Sequence, residues 1–126
     1  MKDVTKVKIQ ILGQEFTLHI GKAEKAEPKP HWAGACHSTQ RDMCVLVDDE
    51  DDPVHTLFHE VFHAHLRVSG ASVQYDDKEE EDLCDLFAAV MTQYVHQNPN
   101  VWSGTVRLVR EYGGQAVGTA VSNGKT

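Results

Sequence analysis

Apolar and polar residues alternate along the first part of the chain, and this pattern predicts its strands. Across residues 4–22 the alternation continues on both sides of Gly13–Gln14, which predicts a β-hairpin. Its inward-facing positions are Val7, Ile9, Ile11, Phe16, Leu18 and Ile20. Two prolines make residues 23–32 a connecting loop, and residues 34–49 predict two further strands around a turn at 38–42. The first half of the chain is therefore expected to form a small antiparallel sheet.

A helical period replaces the alternation after residue 52. Asp52 is suited to cap a helix N-terminus and Pro53 to occupy its first position, while Ser69–Gly70 ends the pattern. Between them, apolar residues recur at helical spacing: Val54, Leu57, Phe58, Val61, Phe62, Leu66 and Val68. These positions cover nearly half of the helix circumference, so the helix is predicted to be largely buried.

A second helix is predicted from about Asp77 to about Gln97, where Asn98–Pro99 breaks it. Its expected core-facing stripe consists of Leu83, Leu86, Phe87, Val90, Met91 and Tyr94. Residues 98–114 can hold a short third helix, and residues 115–126 are expected to form a flexible C-terminal tail. The predicted fold class is α+β, with the antiparallel sheet packed on two long helices in a single domain of residues 1–114.

Length, composition and charge narrow the class of protein. A chain of 126 residues with 40% hydrophobic and 25% charged residues is typical of one globular domain. The formal net charge of −7 disfavours a nucleic-acid partner, because phosphate binding needs clustered Lys and Arg. The apolar runs are too short to cross a bilayer, and no leader-like stretch follows Met1. With three cysteines, an odd number, these features predict free thiols and a cytoplasmic protein.

Histidines give the first predicted helix its chemistry. His55, His59 and His63 recur every four residues and therefore lie on one face. Side chains at this spacing have Cβ atoms about 5–6 Å apart, which lets two imidazoles converge on one metal ion. Glu60 follows His59, where its carboxylate can serve as a general base, whereas His55 is followed by Thr56. The chemically complete pair is therefore His59 and His63.

The second predicted helix supplies a candidate third ligand. Catalytic zinc sites use three protein ligands and leave one position for water. Glu81 and Asp85 lie one turn apart, so the carboxylate of Glu81 can complete the ligand set while Asp85 accepts the outer N–H of one histidine. The favourable interaction of acidic side chains with the helix dipole accounts for the neighbouring Glu79, Glu80 and Asp82.

The segments HEVFH and EDLCDLFA together resemble the gluzincin metallopeptidases, which carry H-E-x-x-H on one helix and E-x-x-x-D on the next. The short spacing between them is similar to that of minimal peptidase-like domains of phages and other mobile elements. The resemblance covers about residues 34–97. It implies a zincin-like fold and a zinc-dependent endopeptidase acting on a protein or peptide. It also implies zinc ligands His59, His63 and Glu81, the general base Glu60, and Asp85 as the carboxylate that orients a ligand.

Several assignments stay open in the sequence. The oxyanion-stabilising group of larger gluzincins has no assigned counterpart, and Tyr75, Tyr94 and His65 are candidates. A peptide substrate is expected to lie along a sheet edge near Met43–Val47. The alternative function is a non-enzymatic zinc-binding domain for protein interaction, and a hydrolase of small amides is a third reading. The oligomeric state is open.

The remaining histidines and cysteines receive structural interpretations first. For His55 the alternative to a structural role is to orient a ligand or to line the cleft. In the non-enzymatic alternative, His55 or Cys84 would close the site as a fourth ligand. Cys36 and Cys44 are interpreted as structural residues, because two thiols at irregular spacing do not define a metal site.

Overall fold

The computed structural model describes residues 4–22, 34–48 and 51–113. Its elements in chain order are β1 (Val4–Ile11), β2 (Gln14–Gly21), β3 (Gly34–His37), β4 (Asp42–Leu46), α1 (Pro53–Ser69), α2 (Asp77–Gln97) and α3 (Val101–Leu108). A 3₁₀ turn lies between α1 and α2, and a π turn follows α3. The predicted α+β class and C-terminal helix are confirmed. The predicted loop at 23–32 and tail at 115–126 lie outside the described residues.

The strands form one sheet in the order β1-β2-β4-β3. The pairs β1–β2 and β3–β4 are antiparallel hairpins, as predicted. However, β2 and β4 are parallel, with Leu18 opposite Met43 and Ile20 opposite Val45, so the expectation of a purely antiparallel sheet is wrong for this pair. The reason is that β4 rather than β3 lies beside β2. Residues 43–46 are buried on both faces, which suits an interior strand, whereas most of β3 is only half-buried.

One face of the sheet carries the hydrophobic core and packs against α1. Phe16, Leu18, Met43 and Val45 are buried there in one cluster with Ala64 of α1. Further α1 residues that pack against this cluster while partly buried are Leu57, Val61 and Val68. The apolar side of α1 therefore faces the sheet, which leaves the polar arc of the helix available for chemistry.

The ends of α1 are where the sequence predicts them. The carboxylate of Asp52 accepts a hydrogen bond of 2.9 Å from the backbone N–H of Val54, and Pro53 opens the helix. At the other end Gly70 has a φ of 83°, and its N–H donates to the carbonyl of Arg67. This left-handed conformation strains residues with a Cβ, so glycine is the residue that ends the helix here.

The bounds of α2 are also as predicted, but its buried face is not. Leu86, Val90 and Tyr94 are more than half exposed, so their placement in the core stripe is wrong. The buried residues recur every four positions and are Glu80, Cys84, Ala88 and Thr92. Phe87 flanks this stripe and stacks on Phe62 of α1 with ring centroids 4.4 Å apart. The helix is therefore rotated so that small residues, rather than the bulkiest apolar ones, occupy its most buried positions.

The chain divides into two compact units, Met1–Thr92 and Gln93–Thr126. The first holds the sheet, α1 and most of α2. The described part of the second holds the last residues of α2, α3 and the π turn, Val109–Gly113. Among the described helices, none has both the length and the apolar character that a membrane span requires.

Candidate metal centre

Three side chains on α1 and α2 converge on one point. The Nε2 atoms of His59 and His63 lie 3.1 Å apart, and each lies 2.8 Å from a different carboxylate oxygen of Glu81. A tetrahedral ion with bonds of about 2.0–2.1 Å separates its ligand atoms by about 3.3–3.4 Å. The structure thus brings the three predicted ligands together at nearly the spacing that a single metal ion requires.

A carboxylate fixes the outer nitrogen of each histidine. Nδ1 of His59 lies 2.8 Å from Oδ1 of Asp85, the residue that the sequence predicts in this position. Nδ1 of His63 contacts Oε2 of Glu80. A neutral imidazole has one N–H. With a metal ion on Nε2 of each ring, that N–H would lie at Nδ1, where the carboxylates of Asp85 and Glu80 would accept it.

Glu80 is the functional residue that sequence reasoning missed. The favourable helix dipole does not account for it, because its side chain is only 9% exposed and connects His63 to Arg67, whose Nε donates to Oε2 over 3.1 Å. Burial would raise the pKa of Glu80, but side-chain hydrogen bonds and the charge of Arg67 hold that pKa below its usual value. In the sequence Glu80 stands four residues before Cys84 and eight before Ala88, so the three lie on one face of a helix. The structure shows that this face is buried, and the spacing was therefore a signal for the burial of Glu80.

Glu60 lies beside this cluster and is itself buried. Burial raises the pKa of its carboxyl from 4.5 to about 7; the positive potential of His59 opposes this rise, and the charge of Glu81 adds to it. The side chain sits where α1 approaches β3 most closely. A Cβ at Gly34 would lie 2.5 Å from Cγ2 of Thr56 and 3.4 Å from Cγ of Glu60, so only glycine fits there without a shift. The packing of β3 on α1 therefore helps to position the predicted general base.

The candidate metal ligands and Glu60 line a cleft of about 810 Å³. The described residues that line it include all four residues of β3. In the described sheet β3 is an edge strand, whereas β4 lies between β2 and β3. The expected substrate position along Met43–Val47 is therefore wrong, because β4 already has a neighbour on each side. The edge that faces the cleft is Gly34–His37.

His55 lines the same cleft, which is the alternative to a structural role that the sequence leaves open. Its Nε2 lies 3.7 Å from Oδ1 of Asp85, and its ring centroid is 6.4 Å from that of His59. Within the described residues, the group around Glu81 contains three possible ligands and not four. Neither His55 nor Cys84 belongs to this group, so the described residues provide no fourth ligand.

The cysteines occupy structural positions. Cys36 is opposite Met43 and Cys44 is opposite Ala35, so the two thiols point to opposite faces of the sheet and cannot share an ion. Burial raises the pKa of the Cys36 thiol to about 12 and that of the Cys44 thiol to about 11. Cys84 is fully buried in α2, and burial raises its pKa to about 12. All three thiols are free in the structure.

None of the three oxyanion candidates gains support from the geometry. Nδ1 of His65 lies 2.8 Å from the backbone carbonyl of Val61, so this histidine has its partner on its own helix. Tyr75 is not among the described residues that line the cleft. Tyr94 lies in the C-terminal unit, where it lines a separate pocket with residues 97–101. The oxyanion group therefore stays unassigned.

Comparison with protein-family models, curated proteins and solved structures gave no match for this chain. What the structure itself shows is a group of histidine and carboxylate side chains placed to hold a metal ion. Any function must therefore be inferred from the chemistry of this group and of the cleft around it.

Proposed function

We propose that the protein is a zinc-dependent metallopeptidase. The observation that carries the proposal is the convergence of His59, His63 and Glu81 on one point beside Glu60, at the base of an open cleft. Two neutral imidazoles and a carboxylate form a donor set that zinc accepts in catalytic sites. Cobalt, nickel and manganese also bind such a set, so the identity of the metal is part of the proposal.

A zinc ion held by these ligands would activate a water molecule and polarise the carbonyl of the bond to be cleaved. Glu60 would take the proton of the attacking water and pass it to the departing amine. The carboxylates of Asp85 and Glu80 would hold the two imidazoles in the tautomer that presents Nε2 to the metal. Each step uses a side chain in or beside the cluster.

The cleft also offers a place for an extended substrate. One side of β3 pairs with β4, and in the described sheet the other side has no neighbouring strand. An extended peptide can add to such an edge through backbone hydrogen bonds. We therefore place the substrate along Gly34–His37, within the cleft that contains Glu60.

Metal content and cleavage of a peptide library, measured on the same preparations, test the proposal. The wild-type chain should carry about one zinc and cleave peptides, and His63→Ala should lose both properties. Glu60→Gln should keep the zinc and lose cleavage, because the amide retains the shape of the side chain but cannot accept the proton. Glu79→Gln is the matched control, since Glu79 is exposed and interacts with Asp76 at the start of α2.

Three outcomes would contradict all or part of the proposal. Wild-type protein that contains no metal would contradict the proposed zinc site and with it the whole proposal. Cleavage by Glu60→Gln at the wild-type rate would exclude the proposed base. One zinc per chain with no cleavage of any peptide, in the wild type and in Glu60→Gln alike, would favour the alternative of a non-enzymatic zinc-binding domain.

A further inference from the structure

A second group of possible metal ligands lies on the opposite side of His59. It consists of His55, His59 and Asp85, whose ligand atoms lie within 4.8 Å of one another. We propose that His55 and Asp85 form a second, weaker binding site for a divalent metal ion of the zinc type, in the same cleft. This site presupposes the proposed metal centre, because that centre decides which nitrogen of His59 is already in use.

The distance between the two side chains suits a shared ion rather than a hydrogen bond. Nε2 of His55 is 3.7 Å from Oδ1 of Asp85. This distance is too long for a direct hydrogen bond, falls within the range of an ion pair, and exceeds the ligand spacing on one tetrahedral ion by only a few tenths of an ångström. The side chains of His55 and Asp85 are 33% and 59% exposed. Water can therefore fill the remaining positions around the ion.

His59 does not contribute a third ligand to this site while the first is filled. Its Nε2 faces Glu81 and His63, and its Nδ1 carries the proton that Asp85 accepts. Binding a second ion through Nδ1 would require removal of that proton from a ring that already holds a metal. The second site therefore has two protein ligands against three in the first, and it is expected to bind zinc at least tenfold more weakly.

The charge of the cleft favours a second cation. Its described lining contains one arginine and five acidic residues, Asp51, Glu60, Asp77, Glu81 and Asp85. Glu60 is left out of the count because its pKa is raised to about 7. With neutral histidines, the four other carboxylates and the arginine give a formal charge of −3, and one zinc ion leaves −1. Cations are concentrated in a cleft that keeps such a charge. A second ion thus meets an attractive potential even when the first site is filled.

Because Asp85 serves both sites, the two ions are coupled. An ion on Oδ1 of Asp85 competes with the N–H of His59 for the same oxygen, and it places a positive charge beside the ring that holds the first ion. Each ion therefore lowers the affinity for the other, since such coupling is reciprocal. Excess zinc is expected to occupy the second site and to weaken the first.

Isothermal titration calorimetry of the metal-free chain with zinc tests the inference. The wild type should show two binding steps of about one equivalent each, the second at least tenfold weaker. His55→Ala and His55→Gln should retain the strong step and lose the weak one. His65→Ala is the matched control, because His65 is on the same helix but binds the carbonyl of Val61, and it should retain both steps. Circular dichroism should confirm that each variant is folded.

The possible results separate this inference from the proposed function. A single strong step in the wild type, or a weak step that survives both substitutions of His55, would overturn the second site and leave the first intact. Absence of a strong step in the wild type, or a strong step of unchanged affinity in Glu81→Gln, would instead contradict the proposed metal centre. The two failures therefore appear in different steps of the titration.

Discussion

Replacing Glu80 by glutamine removes the charge, with little change in shape, from the group that orients His63. In the folded chain Glu80 accepts hydrogen bonds from Nδ1–H of His63 and from Nε of Arg67 through the same oxygen, Oε2. An amide can offer its oxygen to these donors, but more weakly, and its NH₂ group repels any N–H that it faces. The substitution therefore perturbs a metal ligand without removing it.

The structure sets the size of the expected effect. The Glu80 side chain is only 9% exposed, so water has little access to replace the lost interaction, whereas Arg67 is 37% exposed and can turn to solvent. Loss of a carboxylate that orients a ligand costs about 10- to 100-fold in metal affinity, or about 1.4–2.8 kcal/mol. The metal-free protein should also lose about 1–3 kcal/mol of unfolding free energy, because a buried donor loses a full partner. Glu81→Gln, which alters a ligand directly, should weaken zinc binding more than Glu80→Gln does.

Two measurements on the same variant check this reasoning. Zinc affinity is obtained by competition with a chromophoric chelator, and the unfolding free energy by urea denaturation of the metal-free chain. Glu79→Gln is the control, since Glu79 is adjacent but exposed and accepts the backbone N–H of Asp76, which an amide oxygen also accepts. A Glu80→Gln variant whose zinc affinity and stability both equal those of the wild type would refute the assigned role of this carboxylate.

Three further predictions follow from packing and from the thiols. Gly34→Ala should lower the unfolding free energy, measured by urea denaturation, by about 1–3 kcal/mol and should reduce any cleavage activity. The reason is that the new Cβ would lie 2.5 Å from Cγ2 of Thr56 and would displace β3 from Glu60. An unchanged unfolding free energy would contradict the close contact between β3 and α1. Ala88→Leu should destabilise the chain by a similar amount, because Ala88 is fully buried, whereas Leu86→Gln should change the unfolding free energy by no more than about 0.5 kcal/mol, because Leu86 is exposed. A larger loss of stability in Leu86→Gln than in Ala88→Leu would show that α2 buries its other face. The three cysteines should react slowly with a thiol reagent in the folded chain at neutral pH and rapidly in urea. Burial raises the pKa values of these thiols above the ordinary 9.0, so the unfolded chain loses the thiol protons at a lower pH than the folded chain does. The unfolding free energy should therefore fall as the pH rises above 9.0. An unfolding free energy that does not change in this pH range would contradict the burial of the thiols.

Local sequence predicted the elements and much of the candidate site. The period of two predicted both hairpins, Asp52 and Gly70 marked the ends of α1, and Asn98–Pro99 marked the end of α2, because these signals act through backbone conformation and hydrogen bonds within a few residues. The spacing of His59 and His63 likewise follows from the pitch of one helix. The spacing of Glu81 and Asp85 on the next helix predicted one carboxylate that binds the metal and one that orients a histidine, and the structure shows that this histidine is His59.

Only the tertiary structure determined which strands lie side by side and which face of α2 is buried. Whether β3 or β4 lies beside β2 depends on pairings between distant residues, and the alternation within one strand carries no information about them. The rotation of α2 depended on which of its faces the rest of the fold covers. Its apolar residues occupy more than one face, and the covered face is the one that carries the small side chains of Cys84 and Ala88. That rotation buries Glu80 against His63 and brings Glu81 to the cleft. The two adjacent glutamates therefore have different roles because of the packing of the helix, which the sequence of that helix alone does not determine.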